Sequence, residues 1–173
     1  MVVLQGKRVR LRPWREDDRP GFRRMGADAR VMEFMPGLLD AAQSDALADR
    51  LAADIQGRGW GFWALEVPGV AEFGGFVGLR PTEVACGGVE VAWRLDPALW
   101  GRGHASEAAA LALDFGFGVL GLPEIIAFTA CVNHRSQAVM RRLDMQPAGE
   151  FDHPVLPDGH WLRRHVLYRK TAP

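Results

Sequence analysis

Three strand-like segments follow one another in the middle of the chain, and this succession constrains the fold more than any other feature. Residues 60–67, 73–80 and 88–95 are rich in aromatic, aliphatic and β-branched side chains. Only short turn-forming stretches separate them, at Pro68 and Gly69 and at residues 81–87. Connections this short join antiparallel strands, so the sequence predicts an antiparallel meander.

Helices and further strands surround this meander. Residues 7–13 alternate charged and apolar side chains, as a half-buried strand does. The other predicted elements are helices at 17–25, 41–57, 105–119 and 133–143, strands at 124–130 and 161–169, and a short strand near 148–151. The predicted fold class is α/β (α+β), with one mixed, mostly antiparallel sheet of six to seven strands and about four flanking helices.

Length, charge and cysteine content narrow the classes of function. A chain of 173 residues fits a single domain, predicted as 1–173. Its 21 basic and 21 acidic side chains cancel, which gives no electrostatic reason to expect nucleic acid or an anionic membrane as a partner. The N-terminus is charged early and no long apolar run occurs, so we expect no signal peptide, no membrane span and a cytoplasmic location. Cys86 and Cys131 lack neighbours at metal-ligand spacing, so we expect two buried thiols and no metal.

The stretch 89–112, VEVAWRLDPALWGRGHASEAAALA, carries the most chemical information. A buried strand ends, a loop with Gly101 and Gly103 follows, and a helix begins. Glycines let a ligand approach the backbone, and the unpaired N–H groups at a helix start attract anions. With the charge of Arg102, this arrangement suits a pyrophosphate. Taken alone, the pattern is better explained by a plain glycine turn that leads the chain into a helix.

Two known phosphate loops do not match this stretch. The P-loop pattern G-x-x-x-x-G-K-S/T does not occur in the sequence. The dinucleotide fingerprint G-x-G-x-x-G fails because Ser106 stands at its third glycine and no βαβ unit precedes it. A dinucleotide-dependent oxidoreductase is therefore a distant alternative.

The sequence resembles a known family in three places. W-G-R-G-H-A-S-E-A at 100–108 resembles the acyl-CoA loop of GNAT acetyltransferases. The general loop has Gln or Arg where Trp100 stands, and W-G-x-G-x-A-S/T-E-A is typical of the Rim-type branch, which acetylates the N-termini of ribosomal proteins. Residues 133–145, N-H-R-S-Q-A-V-M-R-R-L-D-M, are similar to a second motif of that branch, with Asp144 in place of the usual Gly. The opening L-x-G-x-x-V-R-L-R-P is the third match, and the three occur in the family's order.

This resemblance implies a single-domain GNAT fold with acetyl-CoA as co-substrate between the fourth and fifth strands, 89–95 and 124–130. The fourth strand would hold the pantetheine arm and polarise the thioester carbonyl, and amides of the loop would hold the pyrophosphate. The residues implied in cofactor binding are Trp93, Arg94, Leu95, Arg102, Gly103, His104, Ala105, Ser106, Asn133 and Ser136. The implied partners are acetyl-CoA and an amine acceptor, and Rim-type relatives suggest a homodimer.

The reaction that the resemblance implies is direct attack of a neutral amine in a ternary complex. It needs a base for the ammonium proton and an acid for the departing thiolate. GNATs often use a Glu on the fourth strand as base, which points to Glu90. In the Rim-type branch the serine of N-x-x-S serves as acid, which points to Ser136. The alternatives are an ion-paired strand residue for Glu90 and a helix cap for Ser136.

Three histidines near the end of the chain are further candidates for the base. The resemblance places the segment before the last strand over the acceptor, which favours His153 and His160 over His165, since His165 lies inside the strand pattern. A plain surface loop is the alternative. The acceptor wall is expected at 31–39 and at Trp60, Phe62 and Trp63, where apolar side chains favour an acceptor with an apolar or aromatic part.

Two other functions remain open at this point. One is a non-catalytic sensor that binds an acyl-CoA. The other is a transferase for a different acyl group such as succinyl, for which Arg94 offers a basic side chain near the thioester.

Overall fold

The computed structural model describes residues 2–173, so Met1, the first residue of the predicted domain, lies outside the described residues. The helices are α1 (Arg19–Gly26), α2 (Ala41–Arg58), α3 (His104–Gly118) and α4 (His134–Arg142). The strands are β1 (Leu4–Gln5), β2 (Arg10–Arg12), β3 (Phe62–Glu66), β4 (Gly75–Thr82), β5 (Gly88–Leu95), β6 (Glu124–Ala130), β7 (Gln146–Asp152) and β8 (Arg164–Thr171). Short 3₁₀ turns precede α1 and α3, at Glu16–Asp18 and Pro97–Leu99.

The eight strands form one sheet in the order β1-β2-β3-β4-β5-β6-β8-β7. Neighbours are antiparallel except β5 and β6, which are parallel. The predicted mixed, mostly antiparallel sheet and the β3–β4–β5 meander are therefore confirmed. The sheet has one strand more than the predicted six to seven because β1, which forms a hairpin with β2, was not predicted. Strand β1 has two residues, too few to show an alternating pattern.

The sheet buries both of its faces, each against different helices. Consecutive strand residues point to opposite faces, and Phe62 and Trp63 accordingly belong to different cores. Trp63 packs with Phe115 and the alanines of α3, whose small side chains let the helix lie close to the strands. Phe62 and Phe76 pack with Phe22 of α1 and with Ala48 and Leu51 of α2. We call these the α3 face and the α2 face.

The parallel pair β5 and β6 is where the sheet opens. Cα pairing between these strands occurs at one position in the described chain, Glu90 with Ile126. The antiparallel neighbours on either side, by contrast, pair along nearly their whole length. Beyond this paired position, residues 91–95 of β5 and residues 127–130 of β6 do not pair with each other, so the two strands leave a gap. The peptide groups along this gap are free to meet a ligand.

Two smaller expectations have different outcomes. The prediction of two buried thiols is wrong for Cys86, which is exposed in the turn before β5, and Cys131 is only partly buried. Among residues 2–173 the structure contains no helix that is long and apolar enough to cross a membrane.

Candidate active site

A cleft of about 880 Å³ lies at the opening between β5 and β6 and continues over the α2 face. Most of the predicted site residues line it. They are Glu90, Trp93, Arg94, Leu95, Gly103, His104, Ala105, Ser106, Asn133, Ser136 and His153. Arg102 lies outside the lining and is exposed. Residues separated by more than sixty positions in the chain thus meet in one cavity.

The loop before α3 presents an uncapped helix start to this cleft. Gly101 and Gly103 have φ values of 71° and 80°, which side chains rarely adopt. Gly103 is the N-cap residue, and no side chain caps the helix. Among residues 2–173, buried Ser106 Oγ and His104 Nδ1 also lack a hydrogen-bond partner. Free N–H groups beside unpaired polar atoms fit a phosphate ligand, as the pattern of the loop predicts.

Arg8 supports this loop and was not found from the sequence. Its Nη1 donates to the backbone oxygen of Arg102 at 2.8 Å, and its Nε forms an ion pair with Glu107 at 2.8 Å. The guanidinium thereby joins the β1–β2 hairpin to the start of α3. No spacing in the sequence links position 8 to position 107, so only the folded chain shows this contact.

Strand β5 divides its side chains between the two faces. Val91 and Leu95 belong to the core beneath α3, and Trp93 packs against it. By alternation, Glu90, Ala92 and Arg94 point to the α2 face. The predicted base and the predicted basic side chain therefore lie on one surface of the cleft.

Glu90 is 4% exposed and pairs with Arg80 from the neighbouring strand β4. Arg80 donates through Nη2 at 2.7 Å and Nε at 3.1 Å, both to Oε1. Oε2 has no hydrogen-bond partner among the described residues. Burial raises the pKa of Glu90 above its usual value, while the charge and hydrogen bonds of Arg80 oppose that rise. Glu90 therefore forms the ion pair that was the alternative to a catalytic role. It is also a buried carboxylate that faces the cleft, as a base would need to be.

Ser136 does not cap its helix. Asn133 is the N-cap of α4, and its Oδ1 accepts from the Ser136 backbone N–H at 3.2 Å. The Ser136 hydroxyl instead accepts from the indole Nε1 of Trp93 at 3.2 Å. Because a hydroxyl that accepts still has its own proton to give, Ser136 Oγ–H is free to donate elsewhere.

The histidines are arranged differently from the expectation. His153 and His165 both line the cleft with their rings 4.8 Å apart, whereas His160 is not part of the lining. His165 Nδ1 lies 3.1 Å from the Arg163 carbonyl, which can only accept, so Nδ1 carries the proton and Nε2 is the basic nitrogen. Burial lowers the pKa of both His153 and His165, which favours neutral rings at pH 7.

The expected acceptor wall is formed only in part. Val31, Phe34, Met35 and Pro36 line the cleft, and so does Phe62. Trp60 and Trp63 instead pack with the core on the α3 face. Phe34 packs against the exposed Trp161, with ring centroids 6.2 Å apart and ring planes tilted by 50°, which joins the loop after α1 to the loop before β8. Among residues 2–173, no three His, Cys, Asp or Glu side chains gather in a way that would hold a metal ion.

Comparisons with known proteins agree with this geometry. A family model described as an acetyltransferase (GNAT) domain matches residues 8–146. YkkB of Bacillus subtilis (strain 168) is 29% identical over 140 residues, which cover 80% of this chain and 81% of that protein. A GNAT-family acetyltransferase from Bacillus anthracis has a similar structure, with a TM-score of 0.83, 21% identity and coverage of 98% of both chains. RimJ of Mycobacterium smegmatis, solved with CoA-disulfide, gives a TM-score of 0.78 at 23% identity and covers 99% of this chain and 88% of that one.

The chain belongs to the GNAT acetyltransferase family, because the family model matches most of its length. It has the GNAT fold and is an acyltransferase. Members of this family use acetyl-CoA.

Proposed function

We propose that this protein is an N-acetyltransferase that moves the acetyl group of acetyl-CoA to a primary amine. The amine belongs to a protein or peptide N-terminus or to a small molecule. The observation that carries the proposal is the uncapped start of α3, with Ser106 Oγ and His104 Nδ1 unpaired in the described chain, beside a gap between two strands. This arrangement suits a pyrophosphate joined to an extended arm.

The residues of β5 and the α3 loop would hold acetyl-CoA. Amides at Gly103, His104, Ala105 and Ser106 would bind the pyrophosphate, with the charge of Arg102 nearby. Backbone groups of Trp93, Arg94 and Leu95 would bind the arm, and an amide there would stabilise negative charge on the carbonyl oxygen. Asn133 keeps one amide hydrogen for the arm, because its Nδ2 makes a single donation, to Thr129 Oγ1 at 3.0 Å.

Two side chains would move the protons. Glu90 Oε2 would take a proton from the incoming ammonium, directly or through one water. The raised pKa of Glu90 makes its carboxylate a stronger base than an exposed glutamate. Ser136 Oγ would give its proton to the departing thiolate, since the indole of Trp93 already occupies a lone pair of the oxygen. His153 is the second candidate for the base, together with His165.

The finer classification is also part of the proposal. We propose that the chain belongs to the Rim-type branch, because the motif at 100–108 resembles the loop of that branch. We propose a single domain over 1–173, a homodimer and a cytoplasmic location.

The test is acceptor-dependent release of free thiol from acetyl-CoA across a panel of N-terminal peptides, amino acids, aromatic amines, polyamines and aminoglycosides. Release with at least one amine, with the acetylated product confirmed by mass, is the expected result. Binding of acetyl-CoA without release for any amine would contradict the proposed transfer.

A further inference from the structure

The cleft contains one arginine whose surroundings the proposed acetyl transfer does not explain. Arg94 projects from β5 onto the α2 face, two positions from Ala92 on the same side of the strand. Its guanidinium lies 5.1 Å from the ring centre of Phe76, its cross-strand partner on β4. The aromatic ring packs against the guanidinium, and Arg94 is part of the cleft lining.

Three other arginines of the cleft lining have carboxylate partners, while the fourth, Arg142, is exposed to solvent and forms no ion pair with any described residue. Arg80 pairs with Glu90 at 2.7 Å, Arg30 with Asp28 at 2.6 Å and Arg135 with Glu33 at 2.7 Å. Arg94 forms no ion pair with any described residue, and its solvent-shielded Nη1 has no hydrogen-bond partner among residues 2–173. Burial, reinforced by the charge of Arg80, lowers the pKa of Arg94 to about 10. The side chain therefore remains a cation at neutral pH.

A partly buried cation with a shielded Nη1 that is unpaired among the described residues is costly, and a bound anion would offset that cost. A guanidinium offers two parallel N–H donors that match the two oxygens of a carboxylate. Arg94 also follows Trp93 directly on the strand whose backbone would hold the thioester arm. Its side chain thus leaves the strand beside the place where the acyl group would be transferred.

We propose that Arg94 binds a carboxylate carried by one of the two substrates of the transferase. This proposal rests on the acyl transfer to an amine stated under the proposed function, and it adds the chemical class of one substrate. Two sources supply the same chemistry. One is the α-carboxylate of a free amino acid acceptor, and the other is the distal carboxylate of an acyl group such as succinyl. A peptide N-terminus has an amide in place of the α-carboxylate and would leave Arg94 unpaired.

The first arm of the test compares each common free amino acid with its amide as acceptor for acetyl-CoA. The second arm compares succinyl-CoA with acetyl-CoA for one amine that has no carboxylate, phenethylamine. Both arms are run with the wild type, Arg94→Gln and Arg94→Lys. Taking the ratio of wild-type to variant kcat/KM for each substrate cancels differences in amine pKa.

The matched control is Arg58→Gln. Arg58 also lies over an aromatic ring, at 5.6 Å from Trp60, and pairs with Asp54 outside the cleft. Arg58→Gln therefore removes a comparable cation–π contact without touching the proposed carboxylate site. Thermal unfolding of each variant shows whether it has folded.

We expect Arg94→Gln to lower kcat/KM about tenfold or more for the carboxylate-bearing substrate, the usual scale for hydrogen bonds to a charged group. The matching amide, or acetyl-CoA in the second arm, should change far less. Arg94→Lys should recover part of the loss, because lysine keeps the positive charge but lacks the two parallel N–H donors of the guanidinium. A loss confined to the first arm identifies an amino acid acceptor, and a loss confined to the second identifies a dicarboxylic acyl group.

Equal losses for carboxylate-bearing and neutral substrates would overturn the proposal, as would a rise in the KM of acetyl-CoA alone. Either result leaves the transferase intact and so is distinguishable from its failure. If no amine is acetylated at all, calorimetry on CoA-saturated protein decides instead. In the wild type, free amino acids must then bind more tightly than their amides, or succinyl-CoA must bind the free protein more tightly than acetyl-CoA. Arg94→Gln must lose that preference, and equal affinities in both comparisons would overturn the proposal.

Discussion

At the scale of single residues, the balance between Glu90 and Arg80 controls the proposed proton transfer. Burial raises the pKa of Glu90 and Arg80 opposes the rise, so the ion pair sets the pH at which the carboxylate is ready to accept a proton. The same balance affects stability. A carboxyl whose pKa is higher in the folded than in the unfolded state binds fewer protons on unfolding, so its contribution to stability falls as pH rises through that range.

Replacement of Arg80 tests this account of Glu90. In Arg80→Met the opposing charge is gone, so the pKa of Glu90 rises further and a higher pH is needed for the deprotonated base. We expect the acid limb of the kcat/KM–pH profile to move to higher pH. Arg23→Met, which breaks an exposed pair with Asp45, should leave the limb in place. An unmoved limb in Arg80→Met would assign the base to His153 or His165.

Ser136 and Trp93 form a second testable pair. Ser136→Ala should lower kcat roughly a hundredfold, the lower range for loss of a general acid, with a smaller effect on acetyl-CoA binding. Trp93→Phe should lower kcat by less, because it removes the indole donor that orients the hydroxyl but keeps the hydroxyl itself. Trp14→Phe removes a comparable indole bond, to the Phe62 carbonyl, from a side chain that does not itself line the cleft, and should lower kcat less than Trp93→Phe does. Full activity of Ser136→Ala would exclude the hydroxyl as the acid.

At this scale, the side chains that belong to a sequence motif could be predicted. Side chains that reach the site only because two strands pair in a particular register could not. Glu90 and Ser136 could be named from a resemblance. Arg80 could not, because it meets Glu90 only through the register of β4 and β5. His165 was set aside because it lies within a strand pattern, yet a strand places every second side chain on the same face, and that face is the cleft.

At the scale of elements, the start of α3 depends on a backbone conformation that side chains disfavour. Gly103 has a φ of 80°, and a Cβ added there would lie 3.3 Å from Nη2 of Arg8. Gly69, in the turn between β3 and β4, has a similar φ of 76° with open space around it. The two glycines therefore separate backbone strain from effects on the proposed pyrophosphate site.

Alanine substitutions at the two glycines give the corresponding prediction. Gly103→Ala and Gly69→Ala should each lower the free energy of unfolding by about 1 kcal/mol, the scale of left-handed strain. Only Gly103→Ala should also weaken acetyl-CoA binding, measured by calorimetry. Unchanged affinity in Gly103→Ala, or an equal loss in both variants, would argue against pyrophosphate binding at this loop.

The acceptor side depends on how α1 is attached to the sheet. Arg12 of β2 and Asp18, just before α1, form a two-bond ion pair with side chains 3% and 2% exposed. Asp18 also accepts from the Arg15 backbone N–H at 2.7 Å. Arg12 also pairs with Glu66 of β3 at 2.9 Å, so its guanidinium joins the segment before α1 to two strands of the sheet.

Asp18→Asn should therefore lower the free energy of unfolding by about 2 kcal/mol, the scale for hydrogen bonds to a charged group, because Glu66 still compensates the charge of Arg12. Chemical denaturation measures this change. Glu16→Gln, in the same turn, removes an exposed partner of Arg19 and should produce no measurable change. A similar small effect for both variants would show that the Arg12–Asp18 pair does not stabilise the fold.

Element positions were largely predictable from local signals. The bounds of β5 and β6 agree with the predicted strands, and α2 begins at the predicted residue because Asp40 and Gln43 form a capping box. The two-residue β1 was not found, since pairing with β2 rather than its own pattern makes it a strand. The exposure of Cys86 was missed for the related reason that a turn residue carries no periodic signal.

At the scale of the whole molecule, the opening in the sheet joins two differently built surfaces. The start of α3, where phosphate would bind, lies at one side, and Glu90, Arg94 and the histidines lie on the α2 face. Reaction through the gap would let an amine approach the thioester from the opposite side to the cofactor loop. The order of elements and motifs predicted this architecture. The sequence alone did not show that Arg30, Arg80 and Arg135 have carboxylate partners while Arg94 has none in the described part of the chain.

The most direct test of the central claim is acetylation of an amine by purified protein, followed as thiol release and confirmed by the mass of the product, with Glu90→Gln measured in parallel. The account predicts acceptor-dependent acetyl transfer by the wild type and a large loss of kcat in Glu90→Gln with acetyl-CoA binding retained. Tight acetyl-CoA binding without transfer to any amine would contradict the proposed function, and full activity in Glu90→Gln would contradict the proposed base.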